Sequence, residues 1–291
     1  MMNKNSPLII GGVGGSGTRL FASILQECNF YIGNKLNIAL DNHWFGRIML
    51  LEHPKLVTDR KIKNNRLKLW YKKITNNKKL ASKRLGIFKL LMTSDKQIEK
   101  GKFSSDFQLF DLKEKNEEIS KKIYSNQLPN KIDTKLWGWK QPNSYLFLEE
   151  LKEHFPKMKY IHTIRNGLDM VYSKNQNQFK KHKHLYNIPN KDTPTTRLEF
   201  WLKANEKVIQ KGESLLEDDF YLLNFDKFVL NKEEEMKVLL SFLDIKVSEK
   251  KFNTLLKLVQ TPSSMNRYKE HGLDNFSKKQ LTRVNNLGFK A

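Results

Sequence analysis

The chain has 291 residues, with 53 Lys+Arg against 31 Asp+Glu and a formal net charge of +22. Apolar residues make up 38% and there are only 14 Gly and 8 Pro, which excludes a disordered or collagen-like chain and leaves one large α/β domain or two small ones. One cysteine, Cys28, excludes an internal disulfide framework and suits a reducing compartment. No run approaches the roughly 18 apolar residues of a membrane span, and the start MMNKNSPLIIGGVGGSG does not read as a signal peptide. The expectation is a cytoplasmic protein.

Pro7 to Gly12 reads as a buried strand, followed by a helix with Leu20, Ile24, Leu25 and Cys28 on one face. Asn37 to Leu51 reads as helical, and residues 62–126 as several basic amphipathic helices without a strand. Lys135 to Lys140 is a second strand, stopped by Pro142, and Ser144 to His154 a helix. Lys159 to Ile164 is a third strand with a helix over Leu168 to Asn177. Thr193 starts a long helix through Trp201 and Val208, Phe220 to Leu223 is a fourth strand, and NKEEE opens a helix with acids in its first turn. Alternating strands and helices imply a mainly parallel sheet covered on both faces. The expected architecture is a single α/β domain over 1–291 with a basic helical insertion at 42–130.

The charge is unevenly placed. Of the 53 basic residues, 44 are Lys and nine Arg, and residues 55–103 carry 16 Lys/Arg against three acids. Solvated surface is the plain reading. The sharper one is an anionic partner: an acceptor substrate, nucleic acid or an anionic membrane surface.

The strongest local signal is LIIGGVGGSGTRL, Leu8 to Leu20, where seven of the nine residues 11–19 are Gly, Ser or Thr. Strand, glycine-rich turn and helix form a phosphate cradle, because backbone N–H groups and the helix N-terminus both favour an anion. Gly12, Gly14 and Gly17 satisfy the dinucleotide spacing, but no acid closes a second strand about 20 residues on. A nucleotide-kinase P-loop would need Lys where Thr18 stands and Ser or Thr where Arg19 stands. A tight turn that binds nothing is the remaining alternative.

VGGSGTRL resembles the 5′-phosphosulfate loop of sulfotransferases that use 3′-phosphoadenosine 5′-phosphosulfate (PAPS). Gly15 replaces the family's usual loop base and Arg19 its second hydroxyl. KMKYIHTIRNGLDMVYSKNQ resembles the family's 3′-phosphate motif, with Arg165 at a strand end and Ser173 eight residues on. WGWKQP, Trp201 with Asn205, FYLLNFDKFVLNKEEEMKVLLSFLDI and SSMNRYKE also fall in family order. The resemblance covers about 7–30 and 136–288. It implies a P-loop-like sulfotransferase fold and sulfuryl transfer from PAPS to an acceptor hydroxyl on a glycan, glycolipid or small metabolite, without a metal. It assigns Gly14, Gly15, Ser16, Gly17, Thr18 and Arg19 to the 5′-phosphosulfate, Lys140 to the leaving oxygen, and Arg165, Ser173 and Arg267 to the 3′-phosphate. Asp41, with His43 second, is the expected base. No nucleic acid is expected as partner. A P-loop nucleotide kinase and a basic, non-catalytic nucleotide- or nucleic-acid-binding protein are the rival readings.

Overall fold

The computed structural model describes residues 6–33, 36–42, 45–46, 49–50, 59–74 and 136–290. The chain forms two compact units, Met1–Gly46 with Thr134–Ala291, and Arg47–Asp133. The first contains a four-stranded sheet, ordered β2-β1-β3-β4, with every pairing parallel. The strands are β1 (Leu8–Gly12), β2 (Gly138–Lys140), β3 (Lys159–Ile164) and β4 (Phe220–Asn224).

β1 is buried along its whole length, as expected for a strand with neighbours on both sides and helices on both faces. Leu8 pairs with Gly138 on one side and Lys159 on the other. Gly138 is required there, since a Cβ would lie 1.8 Å from the Leu8 carbonyl oxygen. Leu8, Ile10, Ile161 and Leu223 share one core with Phe21, Ile24 and Leu25 of helix α1 (Thr18–Glu27), and Cys28 closes that face. Burial pushes the Cys28 thiol up, away from the reactive thiolate.

In the second unit the described helix is α2 (Arg60–Ile74), begun by Asp59, whose carboxylate accepts from Ile62 N–H at 3.1 Å. Arg66, Leu67 and Trp70 are buried on it, and burial pulls Arg66 down to about 10. Most of the 55–103 run lies outside the described residues.

The remaining helices of the first unit are α3 (Leu148–His154), α4 (Gly167–Val171), α5 (Asn177–His182), α6 (Pro194–Leu216), α7 (Phe225–Leu230), α8 (Lys232–Phe242), α9 (Glu249–Leu258) and α10 (Lys278–Asn286). α6 packs on β3, β4, α3 and α10. Its start is a capping box, Thr193 with Thr196, and Pro194 fits the first turn, where an N–H is dispensable. Glu233, Glu234 and Glu235 occupy the first turn of α8.

Three expected helices differ from the reading of the sequence. Of the expected Asn37–Leu51 helix, residues 45, 46 and 49 are helical but 37–42 form a turn. The Asn37 carboxamide oxygen accepts from Ala39 N–H at 2.9 Å and Asp41 N–H at 2.8 Å, and Leu40 takes a φ of 62°. Short polar side chains that bond the backbone ahead of them compete with helix formation. The 144–154 segment begins as a 3-10 turn, Pro142–Phe147, under the Gln141 cap. The 168–177 helix stops at Val171, because the Gln176 amide donates to the Met170, Val171 and Ser173 carbonyls.

Candidate functional site

Four chain segments leave the carboxyl edge of the sheet together: residues 13–17 after β1, Gln141 after β2, Arg165 and Asn166 after β3, and Phe225 and Asp226 after β4. Open parallel sheets bind ligands at this edge, where successive crossovers part to opposite faces.

The 13–17 turn is held by a bond from Ser16 N–H to the Val13 carbonyl at 3.1 Å. Gly15 and Gly17 have φ of 94° and 89°, which favours glycine strongly. A Cβ on Gly17 would also lie 2.2 Å from the Phe225 ring. α1 then begins with no side-chain cap, and the first N–H groups of a helix have no intrahelical partner. The Ser16 hydroxyl is buried and makes no hydrogen bond. A buried, unpaired hydroxyl beside an uncapped helix start fits a phosphate- or sulfate-type oxyanion. Gly14 N–H is the exception, since it donates to Gln178 Oε1 at 2.8 Å.

Lys140 ends β2 and Asp41 ends the Asn37 turn. The Lys140 side chain is 2% exposed and Asp41 20%. Lys140 Nζ donates to Asp41 Oδ1 and, at 2.7 Å, to the Ala39 carbonyl. Asn37 Nδ2 donates to Asp41 Oδ2 at 2.9 Å, so both carboxylate oxygens are held. Burial lowers the Lys140 pKa, the Asp41 contact opposes that, and the Arg19 charge lowers it a little further. Arg19, exposed on the first turn of α1, therefore acts on the same ammonium. A buried lysine with weakened proton affinity, bonded to a fixed carboxylate, suits a site where a proton must move. His43 lies outside the described residues.

Arg165 forms a second cluster. Its Nη2 donates to Ser264 Oγ at 2.8 Å, its guanidinium lies 5.2 Å from the Phe225 ring centre, and its Nε is buried without a partner. Burial lowers its pKa, Asp226 and Asp169 oppose that, and the Arg267 charge adds to the lowering. Arg267 Nε donates to the Ser264 carbonyl and its Nη1 to the Tyr172 carbonyl, both at 3.3 Å. Asp169 ties the two segments, accepting from Asn266 N–H at 2.8 Å and Tyr268 N–H at 3.1 Å. Ser173 follows α4 and its hydroxyl accepts from Asn175 N–H at 3.2 Å.

The expected residues therefore form two groups. Arg19, at the end of the 14–19 turn, acts on the Lys140–Asp41 pair, and Arg267 acts on Arg165, whereas the Ser173 hydroxyl accepts from Asn175 N–H and makes no hydrogen bond to Arg165 among the described residues. The sequence does not single out Ser264 and Phe225, although they lie inside the SSMNRYKE and FYLLNFDKF motifs, nor Gln178 and Asn37, which carry no local pattern. Among the described residues no cluster of three or more His, Cys, Asp or Glu could hold a metal ion, and no helix is long and apolar enough to cross a membrane.

A parallel sheet whose carboxyl edge carries a glycine-rich strand-to-helix turn is a P-loop-like α/β fold, here in its sulfotransferase form. The Sulfotransferase family model matches residues 7–249, and the chain belongs to that family. It is similar to the sulfotransferase domain of the Synechococcus PCC 7002 olefin synthase, with a TM-score of 0.50 and 11% identity, over 100% of this chain and 98% of that one. The sulfotransferase domain of the curacin biosynthetic pathway gives 0.49 and 14%, over 98% of both chains. Sulfotransferase STF9 from Mycobacterium avium gives 0.45 and 13%, over 96% and 74%. No curated protein sequence matches the chain. Family and fold assign its general chemistry to the transfer of sulfuryl groups.

Proposed function

We propose that the protein transfers a sulfuryl group from PAPS to a hydroxyl of an acceptor. The observation that carries this reading is the pair of anion-seeking groups at one sheet edge: the 13–19 turn with its unpaired Ser16 hydroxyl, and Arg165 with its unpaired Nε. A nucleotide bearing anions at both its 5′ and 3′ positions would satisfy both.

PAPS, when bound, supplies an activated sulfuryl group on a phosphate leaving group. Gly14, Gly15, Ser16, Gly17, Thr18 and Arg19 hold its 5′ end through backbone N–H groups, hydroxyls and one guanidinium. Arg165 and Arg267, with Ser173, hold the 3′-phosphate. Arginine suits that task because its planar fork matches phosphate oxygens and stays charged despite burial. Lys140 stabilises negative charge that develops beside it. Asp41, with His43 second, takes the proton from the acceptor hydroxyl. Among the described residues each Asp41 oxygen accepts one side-chain hydrogen bond, which leaves a lone pair for that proton.

We assign residues 42–130 as an insertion within one sulfotransferase-like domain and give it acceptor specificity. Its lysines favour a negatively charged acceptor or approach to an anionic membrane surface. The acceptor is a glycan, glycolipid or small metabolite, no metal takes part, and the lone buried thiol of Cys28 fits the cytoplasm.

Calorimetry with adenosine 3′,5′-bisphosphate and AMP tests the reading. The bisphosphate binds at least tenfold tighter. Arg165→Ala removes most of that preference, because a hydrogen bond to a charged group contributes about 1.5–3 kcal/mol. Equal affinities in the unaltered protein would overturn the proposal.

A further inference from the structure

The Gly14 amide already has an internal partner, and that partner comes from 164 positions away in the chain. Gln178 Oε1 accepts from Gly14 N–H at 2.8 Å, and the Tyr145 hydroxyl donates to the same oxygen at 3.5 Å. The carboxamide lies flat on the glycine: a Cβ at Gly14 would come 3.3 Å from both Gln178 Cγ and Cδ. A side chain at position 14 would crowd Gln178.

The residues around Gln178 are anchored by aromatic packing. Phe179, the next residue on α5, is buried with its ring 5.9 Å from that of Phe200 on α6. Tyr186 packs on the same Phe200 ring at 5.4 Å. α5 is thus pinned by an aromatic cluster, whereas Gln178 is half-buried and held to the turn through one carboxamide oxygen. It can leave Gly14 by rotating its own side chain, without moving the helix.

From this we infer that Gln178 is a specificity-determining residue that stands in for a ligand oxygen at Gly14, so that an incoming 5′ anion must displace its carboxamide from the turn. The proposal rests on the 13–19 turn being the 5′-phosphosulfate site. A neutral amide oxygen is a weaker acceptor than a phosphate or sulfate oxygen, so it yields to an anion but not to water or to an uncharged group. It keeps the amide paired in the free protein and sets a threshold that only a charged ligand passes.

The test compares Gln178→Ala and Gln178→Glu with the unaltered chain, using adenosine 3′,5′-bisphosphate, AMP and adenosine 3′-monophosphate in calorimetry. Gln178→Ala removes the competitor. It tightens the bisphosphate and AMP by the same factor, about two- to tenfold for one neutral hydrogen bond, and leaves the 3′-monophosphate unchanged. Gln178→Glu places a carboxylate on the amide and weakens both 5′ ligands at least tenfold, an effect that fades as the pH falls and the carboxyl protonates. Amide exchange at Gly14, followed by NMR in the free proteins, rises in Gln178→Ala and stays slow in Gln178→Glu, independently of any nucleotide.

Weaker or unchanged AMP binding by Gln178→Ala overturns the proposal, as does a change confined to the 3′-monophosphate. Failure of the PAPS reading looks different: the bisphosphate then gains nothing over AMP in any of the three proteins, while the Gln178 effect on AMP persists. If no nucleotide binds, inorganic pyrophosphate is the probe, and its failure to bind Gln178→Ala more tightly also overturns the displacement.

Discussion

Replacing His162 by Gln separates a pH effect from a packing effect. His162 lies in the middle of β3, fully buried, with Nε2 2.9 Å from Asn205 Oδ1. Asn205 Nδ2 donates to the Trp201 carbonyl at 2.7 Å, which turns its oxygen toward the ring, so the imidazole proton sits on Nε2. Nδ1 has no partner, and a second proton there would be a buried donor without an acceptor. Burial pulls the pKa from 6.5 to about 4. Below about pH 6.5 the unfolded chain binds a proton that the folded chain refuses, so stability falls as the pH drops, and the loss levels off below about pH 4. At 1.36 kcal/mol per pKa unit, this one side chain removes about 2 kcal/mol between pH 7.5 and pH 5, a large part of the roughly 5–15 kcal/mol that holds a typical domain folded. His162→Gln keeps a neutral donor for Asn205 and cannot titrate. Its smaller volume shifts stability equally at every pH. His182, also drawn down to about 4 by burial, is common to both proteins and cancels. Urea unfolding at pH 7.5 and 5 gives the comparison: the variant loses about 2 kcal/mol less on acidification. Equal losses in the two proteins would refute the reasoning.

Lys140→Met keeps the buried stem and removes the ammonium. We expect turnover of PAPS to fall at least 100-fold, with the affinity for adenosine 3′,5′-bisphosphate changing less than threefold, because the lysine acts on developing charge; normal turnover would return Lys140 to a structural ion pair with Asp41. Asp169→Asn supplies one acceptor oxygen where two amides, Asn266 and Tyr268, now share a carboxylate. Calorimetry is expected to show at least fivefold weaker bisphosphate binding with AMP unaffected, and a loss shared by both ligands would mean that the segment around Arg267 is not tied to the 3′ site.

Legibility followed the range of the interactions. The four strands and helices α1, α6 and α8 could be read from local apolar spacing, turn residues and first-turn acids, all written within a dozen residues. The turn at 37–42 could not, because the apolar spacing was outweighed by one Asn37 oxygen bonded to two amides. The site divided the same way. Gly15, Gly17 and Arg165 stand in patterns that betray them, since positive φ demands glycine and a strand-end arginine is exceptional among nine. Ser264, Gln178 and Asn37 are ordinary polar residues in sequence, and their meaning lies in contacts 99, 164 and four positions away.

Phe225 links the two halves of the site. Its ring lies under Gly17, where a Cβ would meet it at 2.2 Å, and 5.2 Å from the Arg165 guanidinium. The next residue, Asp226, accepts from Asn166 N–H at 2.8 Å, which locks the end of β4 to the turn that follows Arg165. The uncapped helix start and the Arg165 guanidinium, to which we assign one anion each, thus share one aromatic floor, itself 6.3 Å from the Phe21 ring in the α1 core. Rigid support of this kind fixes the spacing between the two groups, so that under the proposed function the ligand would be selected by the distance between its anions as well as by their charge. On the proposed reading, a nucleotide with only one phosphate would engage one group and leave the other buried charge or hydroxyl unpaired, a cost it has no second contact to offset.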